Sequence, residues 1–276
     1  MRIIVLVKPV PDPEKYNELR IDPETKRLVR EGVQTVINPT DKNALEAALV
    51  LRDGRIAAGE DSSVTVLSMA PEFSRDKLVE CLAMGADDAY MLSDVAFGGA
   101  DTYATSYVLA EGVKKIAAEK GENFDLILAG NESADGATAH VPVQLAEWLG
   151  ITHISRVCSL EAEGETLRAV KRSEDVLLTF EGEGQAVFAV TRDINKPRFI
   201  SAMGIVKARK KPLSIWTNEE LGLDESAIGL EGSPTQPGRL ITPELGRAGR
   251  PLLADEDATA EDAAKAIRAL LGKEGF

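Results

Sequence analysis

Glycine, hydroxyl and carboxylate residues concentrate in two segments of this 276-residue chain. Residues 98–106 read GGADTYATS, and residues 130–138 read GNESADGAT. Glycine lets a backbone approach a ligand closely, and the first turn of a helix attracts anions through its free N–H groups and its dipole. The two segments therefore predict contacts with phosphate or ribose. The alternative is that both are ordinary Gly-rich turns between a strand and a helix.

Other kinds of chemistry find little support in the sequence. No G-x-G-x-x-G motif follows the first apolar segment, and no Walker A lysine is present. The two histidines, His140 and His153, and the two cysteines, Cys81 and Cys158, show no zinc-ligand or CxxC spacing. No nucleophile signature accompanies either histidine. We expect no catalytic residue and no metal here.

A doubly wound α/β fold is what the hydrophobic pattern predicts. Apolar strands at 3–7, 63–67, 89–92 and 124–128 alternate with amphipathic helices that begin near Thr40 or Asp41, at Ser74, at Asp101 or Thr102 and at residue 138. This rhythm indicates a mostly parallel sheet with helices on both faces. Ligands of such sheets bind beyond the carboxyl ends of the strands, where the two segments fall.

Other segments of the chain depart from this alternation of strands and helices. Residues 18–30 predict a hairpin outside the main sheet, and 154–162, 167–180 and 185–192 predict three antiparallel strands added to its edge. Residues 228–256 are rich in Gly and Pro, and a short amphipathic helix follows. We therefore divide the chain into a ligand-binding α/β domain, 1–227, and a C-terminal arm, 228–276, that packs on a partner.

The charge of the chain limits its partners. The formal net charge of −13 argues against nucleic acid and anionic membranes. No apolar segment approaches the ~20 residues needed to span a bilayer. Because the N-terminus lacks the features of a signal peptide, we expect a cytoplasmic protein without direct membrane insertion.

Several short motifs occur in an order that resembles one family. The first group is VLVKPVPD at 5–12, VINP at 36–39 with ALEA at 44–47, and LAMGAD at 82–87. The second is NKPRF at 195–199 and KARKK at 207–211. Together they resemble the electron-transfer flavoprotein β subunit from residue 1 to about residue 240. The resemblance implies a heterodimer with a larger, FAD-carrying α subunit, and electron exchange with an acyl-CoA dehydrogenase-type partner.

The resemblance also assigns residues. It places an adenine-nucleotide site on Leu6, Asn38, Pro39, Thr40, Asp41, Met69, Gly130, Asn131, Glu132, Ser133, Ala134, Asp135, Gly136, Ala137, Thr138, Ala139, His140 and Val141. It places a docking loop for the redox partner at 191–201, with Ile194 as an apolar anchor beside Asn195, Pro197 and Arg198. From the sequence alone, Ile194 fits an exposed docking residue and a strand-end core residue equally well.

The ligand of the β subunit differs within this family, being AMP in some members and a second FAD in others. Residues 98–106 and GSPTQ at 232–236 resemble the two-FAD branch, whose members can bifurcate electrons from NADH. This implies FAD contacts from Gly99, Ala100, Asp101, Thr102, Thr105, Ser233, Thr235 and Gln236. However, the 130–138 loop lacks a basic residue and one acid that bifurcating members commonly carry, so both ligands stay open.

Two other classes of protein fit the sequence less well. A free nucleotide-binding module of the universal-stress type shares the α/β architecture but needs no C-terminal arm. A small-molecule enzyme would need a catalytic constellation, which the sequence lacks. Any NADH-dependent bifurcating activity that the resemblance implies requires the α subunit as well.

Overall fold

The computed structural model describes residues 1–18, 20–21, 28–29, 34–236, 238 and 259–273. Its strands are β1 (Arg2–Leu6), β2 (Pro9–Pro11), β3 (Arg20–Ile21), β4 (Leu28–Val29), β5 (Thr35–Ile37), β6 (Ser63–Met69), β7 (Asp88–Leu92), β8 (Leu126–Gly130), β9 (Thr152–Glu163), β10 (Thr166–Ser173), β11 (Val176–Gly182), β12 (Ala186–Val190) and β13 (Leu213–Trp216). The α-helices are α1 (Pro39–Ala57), α2 (Arg75–Met84), α3 (Thr102–Lys120), α4 (Val141–Leu149), α5 (Ala202–Ala208), α6 (Asn218–Leu221) and α7 (Ala260–Lys273).

One large sheet organises the chain, in the strand order β11-β10-β9-β12-β8-β1-β6-β7-β13. All neighbouring pairs from β9 to β13 along this order are parallel, and only β9–β10 and β10–β11 are antiparallel. The predicted α/β class and mostly parallel sheet are confirmed. The short pair β3–β4 lies outside this sheet, as predicted for 18–30.

Helices cover both faces of the sheet. Leu45 and Leu49 of α1 and Leu78 of α2 pack with one face of the strands. Val108 and Ile116 of α3, together with residues of α4, pack with the other face. The chain therefore changes faces between β7 and β8, and β1 and β8 meet where the winding reverses. Open α/β sheets bind ligands at this switch point, beyond the strand ends.

Three predictions of secondary structure were wrong in detail. Helix α1 begins at Pro39 and not at a Thr40 or Asp41 cap, because proline suits the first helical position. Helix α4 begins at Val141 and not at residue 138, because Ala137 and Ala139 have left-handed backbones with φ of 50° and 55°. The predicted strand 167–180 breaks at Glu174, φ 51°, into the hairpin β10–β11.

The last predicted strand, 185–192, also differs from expectation. It forms β12, which lies between β8 and β9 and runs parallel to both. All five of its residues, Ala186–Val190, are buried, so it is an interior strand and not an antiparallel edge addition.

Contacts divide the chain into two compact units, Met1–Gly238 and Arg239–Phe276. In the second unit, α7 exposes Ile267, Leu270 and Leu271 to about half of their surface, each being 49–50% exposed. Residues 239–258 lie outside the described residues, so the packing of the predicted arm on a partner stays a prediction. Among the described residues, no helix is long and apolar enough to cross a membrane.

Candidate functional site

The sequence-predicted ligand segments lie at one edge of the sheet. Parallel strands β8, β1, β6 and β7 end there in that spatial order, and predicted residues lie in the loops after β8 and β7 and at the last positions of β1 and β6. Leu6 closes β1 with a buried side chain, and Met69 closes β6 with a partly buried one. With strands about 4.8 Å apart, the loops after β8 and β7 are about 14 Å apart, the scale of a nucleotide.

Asn38 connects the start of α1 to the loop after β8. Its amide nitrogen donates to Thr40 Oγ1, Asp41 Oδ1 and the Glu132 carbonyl oxygen, each at 2.9 Å. Its amide oxygen accepts from the Ala134 N–H at 3.0 Å, and Thr40 Oγ1 donates to the same Glu132 carbonyl at 2.8 Å. Asn38 is 2% exposed, so its amide fixes the two loops against each other from inside.

Asp41 is a buried carboxylate that joins three segments. It accepts from the Lys8 N–H at 2.8 Å, the Gly130 N–H at 3.1 Å and the Asn38 amide. Burial raises the pKa of Asp41 to about 7, although these donors act to lower it. A carboxyl with a pKa near neutrality in a cleft is typical of functional sites, but structural networks can have the same effect.

A cation that was not among the predicted site residues completes this network. Lys8 Nζ lies 2.7 Å from Asp135 Oδ1 and 3.3 Å from Ser133 Oγ, and the Asp135 side chain is only 7% exposed. The sequence signal was a lysine two residues after β1, at the end of the strand where ligands bind. The 130–138 loop has no basic residue of its own, and Lys8 brings a positive charge to it from the neighbouring strand.

The loop that leads into α4 has the features of an anion cradle. Ala137 and Ala139 hold left-handed conformations, which are costly for residues with a side chain and concentrate at functional sites. His140 precedes the first turn of α4, and no side chain of the described residues caps that turn. The uncapped N-terminus of α4, next to the Thr138 hydroxyl, can therefore donate to a phosphate.

The other predicted phosphate segment is built differently. Asp101 Oδ1 accepts from the N–H groups of Tyr103 and Ala104, at 2.9 and 3.1 Å, and so caps α3. Its other oxygen accepts from the N–H and hydroxyl of Thr235, at 3.0 and 2.6 Å. Residues 229–236, here named the strap, thus lie against the start of α3, where the half-buried Thr102 and Thr105 also stand.

The predicted docking loop is held by side chains from the N-terminal half of α1. The Asn43 amide donates to the carbonyl and side-chain oxygens of Asn195, at 2.9 and 3.0 Å, and Arg198 pairs with Glu46 at 2.8 Å. Ile194 is half-buried and packs partly against the core, so its role as a docking residue stays a prediction. Pro197 is half-buried as well. Nothing in the sequence identified Asn43 or Glu46 as the anchors.

Large apolar side chains face solvent at the end of this loop and in the helix α5 that follows it. Phe199 is 91% exposed, and Met203, Ile205 and Val206 of α5 are 49–62% exposed. Gly204 sits against α2, where a Cβ atom would overlap the Ala83 carbonyl oxygen. Because α5 turns its smallest residue inward, its large apolar side chains point outward. These four residues are here named the apolar patch.

The comparisons with known proteins match almost the whole chain. A family model described as "Electron transfer flavoprotein domain" matches residues 25–221. The electron transfer flavoprotein subunit beta of Megasphaera elsdenii is 41% identical over 258 residues, 93% of either chain. The caffeyl-CoA reductase–Etf complex subunit CarD of Acetobacterium woodii is 42% identical over 88% of either chain. Protein FixA of Azorhizobium caulinodans is 35% identical over 94% of this chain and 90% of its own.

Proposed function

This chain belongs to the electron transfer flavoprotein family as a β subunit, and we propose that it binds FAD at the carboxyl edge of its sheet. Together with an α subunit, it would then pass electrons between NADH or a dehydrogenase and their acceptors, including by flavin-based bifurcation. The match to the family model and the β-subunit relatives carries the family assignment. The site geometry carries the proposal about the ligand.

The observation that supports nucleotide binding most directly is the junction of the Asn38–Asp41 turn with the 130–138 loop. The junction lies where the winding of the sheet reverses, and it combines a buried amide, a lysine ammonium group and an uncapped helix N-terminus. Such a set of donors suits the ribose and phosphate of an adenine nucleotide. Among the described residues, no cluster of His, Cys, Asp and Glu is suited to a metal ion.

FAD would extend from this junction toward the start of α3. The adenosine half is common to FAD and AMP, so Asn38, Lys8 and the 130–141 loop would hold it with either ligand. Thr102, Thr105 and the strap lie further along the same edge and would face the second half of FAD. When bound, FAD supplies reversible electron transfer, while the surrounding dipoles and charges tune its potential.

A single-FAD carrier with AMP in this subunit is the second candidate, and one observation favours it. The Asp101 carboxylate already occupies the N–H groups of the first turn of α3. That end of the helix is therefore less suited to a second phosphate than the uncapped end of α4. In this case the subunit would have a structural ligand and a docking role only.

Two surfaces are suited to protein partners. The apolar patch, which begins in the docking loop at Phe199 and continues along α5, would contact an acyl-CoA dehydrogenase-type partner. Strand β11 is the edge of the sheet, and Val176, Leu178 and Phe180 on one of its faces are 42–56% exposed. An exposed apolar edge strand is normally covered in a working assembly, and we assign its cover to the α subunit.

Competition between the two ligands tests the nucleotide site. The heterodimer freed of nucleotides should bind AMP, and added FAD should displace it from this subunit. The Lys8→Gln variant should weaken AMP binding by roughly tenfold, because the ammonium group no longer holds Asp135 and the 130–138 loop. Lys42→Gln serves as the control, since Lys42 pairs with Glu80 outside the loop. AMP and FAD that bind together without competing would refute a shared site.

A further inference from the structure

The strap makes a specific fit to the loop that follows β7. Ile228, directly before it, is 2% exposed and belongs to the core shared with Phe97 and Trp216. Gly229 has a left-handed φ of 58°, and a Cβ atom there would overlap the Ala96 carbonyl oxygen. The backbones of strap and loop therefore approach so closely that only glycine fits. The strap starts from a fixed point and not from a free tail.

Asp101 holds the other end of the strap with its backbone and its side chain. Its N–H donates to Ser233 Oγ at 2.8 Å, and that hydroxyl donates in turn to the Gly229 carbonyl at 2.6 Å. Its Oδ2 accepts from the N–H and hydroxyl of Thr235. Ser233 is only 8% exposed, whereas Thr235 is exposed, so of these two contacts only that of Ser233 is withdrawn from solvent.

One carboxylate thus serves two elements at once. Its Oδ1 caps α3, and its Oδ2 accepts from the strap, so a single side chain joins the two elements. Hydrogen bonds to a charged acceptor are stronger than those between neutral groups. The hydroxyls of Ser233 and Thr235 donate within the protein here, to Gly229 and Asp101, and are not presented to a ligand.

We propose that Asp101 is a positioning residue that holds the strap over the first turn of α3, and thereby retains the second half of a bound FAD. The inference rests on the proposed FAD site and assigns Ser233 and Thr235 a new role. Their hydrogen bonds hold the strap against the bound FAD, and their hydroxyl groups do not donate to the ligand. AMP lacks this second half and would not reach the strap, so AMP binding does not depend on the hydrogen bonds of Asp101 to the strap.

The test compares FAD with AMP in the reconstituted αβ heterodimer. Thr235→Val removes the hydroxyl donor with little change of shape, and Asp101→Asn removes the charge of the acceptor. Both variants should lose FAD affinity in this subunit by at least about tenfold, while AMP affinity stays within about twofold of wild type. Thr235→Ser, which keeps the hydroxyl, should bind FAD with an affinity close to that of wild type.

Asp94→Asn is the matched control. Asp94 lies in the same loop and caps the turn Val95–Phe97, and it contacts Asn218 but makes no hydrogen bond to the described strap residues. This variant should bind both ligands like wild type. Unchanged AMP affinity shows that a variant has folded.

Each outcome separates the inference from the proposed function. If Thr235→Val and Asp101→Asn keep wild-type FAD affinity, or lose affinity for FAD and AMP equally, the proposed role of Asp101 is wrong. The proposed FAD site is unaffected by this result. A wild-type heterodimer that binds AMP but no FAD in this subunit would refute the FAD site. That result would also refute the role of Asp101, since this subunit would then bind no FAD for the strap to retain.

Discussion

At the scale of single residues, Asp41 is the group on which the site geometry depends most. It receives N–H donors from the ends of β1 and β8 and from Asn38, so it fixes the gap in which the nucleotide is proposed to bind. Burial is the main cause of its raised pKa of about 7, and burial disfavours the charged form.

This raised pKa predicts a pH-dependent stability. Between about pH 4 and about pH 7, folded Asp41 keeps a proton that the unfolded chain has released, so its contribution to stability is lost as pH rises through about 7. Urea unfolding of wild type and Asp41→Asn, compared at about pH 5.5 and about pH 7.5, should show a larger cost of the substitution at the lower pH. The difference should be on the order of 2 kcal/mol. An equal cost at both pH values would contradict the account.

Residue types alone indicated the 130–138 segment, because glycine, amide and hydroxyl residues after a parallel strand are informative, whereas the Asn38–Asp41 segment was indicated by the family resemblance. Lys8, Asn43 and Glu46 were not predicted as contacts. Their partners lie over 100 residues away in the sequence for Lys8, and about 150 for the other two, and only the folded sheet brings them together. Local patterns carry no information about such pairs.

At the scale of elements, periodicity predicted α1 to α3 and the parallel strands, where apolar residues repeat over long segments. It was wrong at α4 and within 167–180. In both places, non-glycine residues with left-handed backbones interrupt an otherwise continuous pattern. Helix α5 is the clearest local exception, because its apolar residues are exposed while Gly204 and Ala208 face inward.

The exposure of the apolar patch predicts which residue anchors the redox partner. Phe199→Ser should leave the free energy of unfolding unchanged but raise the KM of an acyl-CoA dehydrogenase for the heterodimer by about tenfold. Ile194→Ser should instead cost about 1–3 kcal/mol of stability, because Ile194 packs against the core. Steady-state electron-transfer assays and urea unfolding distinguish the two effects.

Phe73→Ser is the control for this comparison. Phe73 is 68% exposed and precedes α2, whose far end contacts α5. A raised KM for Ile194→Ser at wild-type stability, with an unchanged KM for Phe199→Ser, would identify Ile194 as the anchor in place of Phe199.

At the scale of the whole molecule, the acidic net charge of −13 is unevenly distributed. From Ile194 to Asn218 the sequence contains Lys and Arg but no Asp or Glu. The basic residues Lys196, Lys207, Arg209 and Lys210 are exposed around the apolar patch. A partner that docks there should present acidic groups around an apolar contact, and its association should slow as salt is added.

The other exposed apolar surface predicts the subunit interface. Val176, Leu178 and Phe180 share one face of β11, and Phe180 stands opposite the buried Ala169 of β10, so this face continues the core. Leu178→Asp should weaken assembly with the α subunit at least about tenfold, because the interface would bury an unpaired charge. Thr179→Asp, one residue along on the opposite face, is the control. Sedimentation of each variant with the α subunit measures the affinity of assembly. If Leu178→Asp assembles as tightly as wild type, β11 is not part of the interface.

The nucleotide content of the heterodimer tests the central claim most directly. The co-expressed αβ protein would be reconstituted with excess FAD, desalted and denatured, and FAD and AMP would be counted for each heterodimer. Binding of FAD across the Asn38–Asp41 turn, the 130–138 loop and the start of α3 predicts about two FAD and no AMP. About one FAD with one AMP would contradict it, and would leave this chain as the structural and docking subunit of a single-flavin carrier.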